Sequence, residues 1–131
     1  MPHIVIVDDE EGLRNGIGKI LKSMGNVHLA CNADLGFNLI SDLMKEKIKK
    51  IILLSDCDLK AETNGLQLIQ AVRKHYGFNC SCLFTILMTG SRKIIKDIEN
   101  NWQLKKNINL VLLKPFECQE LKNVIRSFLC N

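Results

Sequence analysis

Ile51-Ile52-Leu53-Leu54-Ser55-Asp56 is the stretch on which the fold turns. It is a short apolar run with no helical stripe, the pattern of a strand buried on both faces. It ends on a carboxylate, and turn-forming sequence follows at once. An isolated carboxylate is costly to bury, so Asp56 is expected at the strand's end, where solvent or a cation reaches it. Asp8 and Asp9 close the first apolar run of the chain and Lys114 closes the last. The expectation is that these ends meet in one site.

Working outward, His3 to Val7 reads as a first strand, and Leu13, Ile17, Ile20, Leu21 and Met24 recur at the spacing of a helix packed on one face. Gly16 and Gly18 weaken that helix, which makes close packing their expected reason, and Gly25-Asn26 is its expected stop. Val27 to Cys31 is a poorer strand, and Asn32 is placed to cap a helix carrying Gly36, Leu39, Ile40, Leu43 and Met44. Beyond the central strand and its loop, Gly65 opens a third stripe of Leu66, Ile69, Val72 and Tyr76 that Gly77 stops. Leu83 to Met88 is a fourth strand, ending in Thr89-Gly90, and Ser91 caps a helix with Ile94, Ile95, Ile98 and Trp102. Ile108 to Leu113 is the fifth strand, and Leu121, Val124, Ile125, Phe128 and Leu129 mark the last helix.

Five alternations of strand and helix with short connections call for an α/β fold: a doubly wound parallel sheet with helices on both faces and right-handed crossovers. Its 131 residues make one domain, 1–131, with 47% hydrophobic residues for a core. No apolar run approaches the roughly 18 residues of a membrane span, and Met1-Pro2-His3 leads straight into a strand without a signal peptide, which points to the cytoplasm. In that compartment six cysteines read as reduced thiols, and Cys80-Ser81-Cys82 has no second pair spaced like a zinc site. A net charge of +4 is mild, and the lysines of the run Lys45 to Lys50 lack interleaved aromatics, so nucleic-acid binding is not expected.

In doubly wound sheets the ligand site lies beyond the carboxyl ends of the strands. Asp8-Asp9, Asp56, Thr89 and Lys114 all fall at such ends. Clustered carboxylates repel unless a cation neutralises them, and an oxygen-rich set suits a hard divalent ion such as Mg²⁺. A Lys supplies a point charge for a phosphoryl oxygen, and a Thr hydroxyl supplies a hydrogen bond. Together these groups suit an acyl phosphate formed on one carboxylate.

The chain resembles the receiver domain of two-component response regulators along essentially its whole length. The matching elements are Ile4-Val5-Ile6-Val7-Asp8-Asp9-Glu10, Leu53-Leu54-Ser55-Asp56 with Gly65-Leu66, Met88-Thr89-Gly90, and Leu112-Leu113-Lys114-Pro115-Phe116. The resemblance implies the flavodoxin-like (βα)5 fold with strand order 2-1-3-4-5. It implies that Asp56 takes a phosphoryl group from a histidine kinase or phosphotransfer protein. Mg²⁺ would be held by Asp8, Asp9 (the more direct of the pair), Asp56 and the main-chain carbonyl of Asp58. Thr89 and Lys114 would contact the phosphoryl group, Lys114-Pro115 would be cis, and a downstream protein would read the switched surface. Such a domain catalyses its own phosphorylation and slow dephosphorylation and is not a turnover enzyme.

Asp56 is favoured over Asp58 as acceptor because it directly follows the apolar run, with Gly65 nine residues on. Three positions depart from the family pattern. Lys60 stands where many relatives carry proline, Asp58 adds a negative side chain beside the site, and Val111 replaces the aromatic usual three residues before the lysine. The last implies altered coupling between Thr89 and the far face. Two other readings stay open: a receiver-like docking module without phosphorylation, and a haloacid-dehalogenase-type phosphatase, whose Asp-x-Asp form Asp56-Cys57-Asp58 shares. His3, His28 and His75 are expected to be surface or strand-edge residues.

Overall fold

A computed structural model describes residues 1–60 and 62–130. Five strands, β1 (His3–Val7), β2 (Asn26–Ala30), β3 (Ile51–Asp56), β4 (Leu83–Thr89) and β5 (Leu110–Leu113), form one sheet in the order β2-β1-β3-β4-β5. Every neighbouring pair is parallel. Among the described residues six helices accompany them: α1 (Glu11–Leu21), α2 (Ala33–Lys45), α3 (Gly65–Tyr76), α4 (Arg92–Glu99), the single turn α5 (Trp102–Lys105) and α6 (Cys118–Cys130).

Strand alternation divides the core into two layers. Val5, Val7, Ile51 and Leu53 pack with Ile40 and Leu43 of α2, Ile69 and Val72 of α3, and Ile98 of α4. Ile4, Ile6, Ile52 and Leu54 face the other way, onto Ile17 and Leu21 of α1 and Leu121 and Ile125 of α6. All six residues of β3 are buried, as a strand covered on both faces requires. Asn32 accepts from the Leu35 N–H to cap α2, and Asn64 with Gln67 forms a reciprocal capping box on α3. Gly77, at φ 95°, ends α3 in a conformation that favours glycine.

The structure corrects several expectations. The stripe from Ile94 to Trp102 is not one helix: α4 stops at Glu99, Asn101 caps α5, and Trp102 is largely exposed. Asn101 accepts from the N–H groups of Gln103 and Leu104, a local cap that competes with helix continuation. β5 begins at Leu110, because Ile108 is held by the turn that follows α5. α1 ends at Leu21, ahead of Gly25, whose added Cβ would sit 2.6 Å from the Pro2 carbonyl oxygen. Close packing explains Gly18, where a Cβ would lie 3.3 Å from Leu29, but nothing stands near Gly16. Among the described residues, no helix is long and apolar enough to cross a membrane.

Candidate functional site: an acidic cluster at the carboxyl edge of the sheet

Register brings the polar strand ends to one level. Val7 pairs with Ser55, Asp56 with Met88, and Thr89 with Leu113, so the chain leaves β1, β3, β4 and β5 side by side. Asp8 and Asp9 follow β1, Asp56 and Thr89 end β3 and β4, and Lys114 follows β5. One oxygen from each of Asp8, Asp9 and Asp56 lies within 4.8 Å of the others. Lys114 Nζ lies 2.7 Å from Asp56 Oδ1. The backbone continues the ladder here: the Cys57 N–H donates to the Met88 carbonyl and the Lys114 N–H to that of Thr89. The Lys114-Pro115 peptide bond is cis.

Asp8 is only 1% exposed. Its Oδ1 accepts from the Glu10 N–H, while Oδ2 is buried without a hydrogen-bond partner. Burial, foremost, pushes the Asp8 carboxyl above the usual range; the Glu10 N–H opposes this, and the Asp56 charge adds to it. An unsatisfied buried carboxylate oxygen costs about 1–3 kcal/mol or more, so its presence beside two further carboxylates fits a bound hard cation. Thr89 is buried, and its Oγ1 accepts from the Ser91 N–H at 3.1 Å. Asp58, in contrast, is exposed and stands outside the three-carboxylate group, its Oδ1 accepting from the Lys60 N–H. Lys60 has φ 50°, so this loop takes a left-handed turn where a proline could not.

Several supporting roles escaped the sequence reading. Ser55, fully buried, donates through Oγ to the Asp56 carbonyl, and the Gly65 N–H donates to the carbonyl of Cys57. A Cβ on Gly65 would fall 1.9 Å from the Asp56 carbonyl oxygen, so no side chain fits. Arg14 of α1 donates through Nη1 to the Asp8 carbonyl. Below the site, Arg73 of α3 is buried and donates to the carbonyls of Asn107, Gly77 and Leu83 and to Asn109 Oδ1. An arginine beside Val72 on an apolar stripe was the only signal for it.

Comparisons with known proteins agree with this architecture. A response regulator receiver domain protein from Clostridium thermocellum superposes with a TM-score of 0.77 at 21% identity, over 98% of this chain and 94% of that one. The response regulator TrrA from Thermotoga maritima, in complex with Mg²⁺-BeF, gives 0.75 at 19% identity, over 98% and 99%. The Vibrio cholerae chemotaxis protein CheY4 gives 0.73 at 17% identity, over 98% of both. At these identities the likeness shows the fold alone. No curated protein matches the chain. The family's own sequence pattern carries the assignment further: it matches residues 4–126, nearly every residue from β1 into α6, and the chain therefore belongs to the response regulator receiver domain family.

Proposed function

We propose that this receiver accepts a phosphoryl group on Asp56 from a histidine kinase or phosphotransfer protein, and so switches a protein-binding surface. What supports this most is the convergence of three carboxylate oxygens within 4.8 Å, with the Lys114 ammonium 2.7 Å from Asp56. A carboxylate oxygen of Asp56 attacks phosphorus, the P–N bond to the donor imidazole breaks, and the imidazole leaves with the electron pair and takes up a proton. Lys114 holds the acceptor beforehand and then offers its charge to a phosphoryl oxygen. Thr89 has its own hydroxyl proton to donate, since its oxygen already accepts from Ser91.

Mg²⁺ fits the all-oxygen donor set. Asp8, Asp9, Asp56 and the main-chain carbonyl of Asp58 would hold it, Asp9 more directly than Asp8. When bound, the ion offsets the negative charge of the transferring group. The orphaned Asp8 Oδ2 and the Mg²⁺-BeF complex of TrrA support that assignment. The domain's own chemistry would then be phosphorylation from the donor and slow hydrolysis, in the cytoplasm, with output through a protein partner and no contact to nucleic acid. Family membership disfavours both the docking-only and the phosphatase readings.

Incubation with labelled acetyl phosphate and Mg²⁺ is expected to give one acid-stable, base-labile site, lost in Asp56→Asn. Full labelling of that variant would refute the assignment. Turnover of a generic phosphate ester would instead favour a phosphatase.

A further inference from the structure

The sheet's other edge holds a second cluster of donors, of opposite chemical character. Cys80 and Cys82 precede β4, at the end remote from Thr89, which seven residues of strand at ~3.3 Å each place roughly 20 Å from the acidic site. Their Sγ atoms lie 2.9 Å apart, and Cys82 Sγ lies 3.8 Å from Met44 Sδ on α2. All three side chains are half-buried against the core layer that α2 and α3 cover. The turn is braced by backbone bonds, Cys80 N–H to the Gly77 carbonyl and Leu83 N–H to that of Cys80. Arg73, 3% exposed, donates to the Leu83 carbonyl and reaches that of Cys80 at 3.5 Å.

We infer that Cys80, Cys82 and Met44 form a binding site for a soft monovalent cation, Cu(I). Two thiolates and a thioether from two elements make a three-sulfur set, the donor type that selects Cu(I) over harder ions. Zinc is disfavoured. Its structural sites take four Cys or His ligands, and among the described residues no His, Asp or Glu joins these thiols as a third ligand. Binding breaks the thiol–thiol contact and turns the two Sγ atoms apart, forms two Cu–S⁻ bonds and one Cu–thioether bond and releases one proton from each thiol, leaving the bis-thiolate centre with one net negative charge. The buried Arg73 guanidinium supplies the compensating positive charge from behind the turn.

The test is anaerobic titration of the reduced full chain with Cu(I) against a competing colorimetric Cu(I) chelator, with the Met44 methyl followed by NMR. One equivalent is expected to bind with a shift of that methyl, and the same result is expected in Cys31→Ser/Cys118→Ser/Cys130→Ser, which removes the exposed thiols. Cys80→Ser/Cys82→Ser should abolish competition with the chelator. The volume-conserving Met44→Leu, readable even if the double variant fails to fold, should weaken binding about tenfold or more. Binding that survives in folded Cys80→Ser/Cys82→Ser, that vanishes with the exposed thiols, or that leaves the Met44 methyl unmoved would overturn the site.

Discussion

Replacing Gly65 with alanine drives a methyl group into the backbone of Asp56. The added Cβ would lie 1.9 Å from the Asp56 carbonyl oxygen and 2.8 Å from its carbonyl carbon and from Ser55 Oγ. Cβ atoms essentially never come within 3.0 Å of such groups, so β3 and α3 must separate by about 1.1 Å. Neither side can give cheaply: Asp56 is tied to β4, and Gly65 begins a helix anchored by the Asn64–Gln67 capping box. Overpacking of this size costs about 1–3 kcal/mol, roughly 3–12 °C in Tm for a chain of this length. A displacement of about 1 Å beside reacting groups also costs about 100-fold in rate. Gly65→Ala is therefore expected to lower both Tm and the rate of labelling by acetyl phosphate, measured well below the new Tm. Gly25→Ala is the control, since its Cβ would meet the Pro2 carbonyl oxygen at 2.6 Å, at the amino end of β1 and so at the opposite end of the sheet from the carboxylates. It should lose stability and label normally. Wild-type Tm and labelling in Gly65→Ala would refute the reasoning.

Three further outcomes are expected. Arg73→Met leaves Asn109 Oδ1 and the Leu83 carbonyl without their guanidinium bonds and should cost about 3 kcal/mol in urea unfolding; Arg73→Lys, lacking the planar fork, should not restore it, and full rescue by lysine would refute the network. Burial, foremost, and then the neighbouring His3 hold the His28 imidazole below its ordinary value of 6.5, while Glu46 opposes them. A depressed value means stability present above pH 6.5 and lost as pH falls through the folded-state value, so urea midpoints should drop on acidification below 6.5 and His28→Gln should flatten that slope. A beryllium fluoride phosphate mimic should leave the amide resonances of Lys105 to Val111 nearly unmoved, since Val111 carries no aromatic ring to swing; large shifts there would refute this.

The sheet was legible because β3 is apolar from Ile51 to Leu54 and every strand but β2 ends on a polar group or is followed at once by one. Those two patterns are local, and they place Asp8, Asp9, Asp56, Thr89 and Lys114 without knowledge of packing. What escaped depends on tertiary contact. Arg73 looks like any helix-surface arginine until the carbonyls of the turn after α3 close around it. Gly16 and Gly18 read alike, and only the approach of Leu29 tells them apart. Trp102 fell at helical spacing from Ile98, but the cap at Asn101 broke the register between them. Cys80 and Cys82 announced a pair, whereas Met44, far off in sequence, entered only once the fold brought the end of α2 to the turn before β4.

Thr89 deserves a mechanical reading. Its hydroxyl oxygen takes the Ser91 N–H at 3.1 Å, and the Ser91 hydroxyl in turn takes the Ile94 N–H at 3.2 Å, capping α4. Asp56 is riveted into the ladder and cannot travel; the threonine is hinged to a helix that buries only Ile98. A pull on the Thr89 hydroxyl would be paid out along this tether to the first turn of α4, without passing through Val111. The moving part of the domain would then be the entry of one lightly held helix, and a partner would sense its slack or tension.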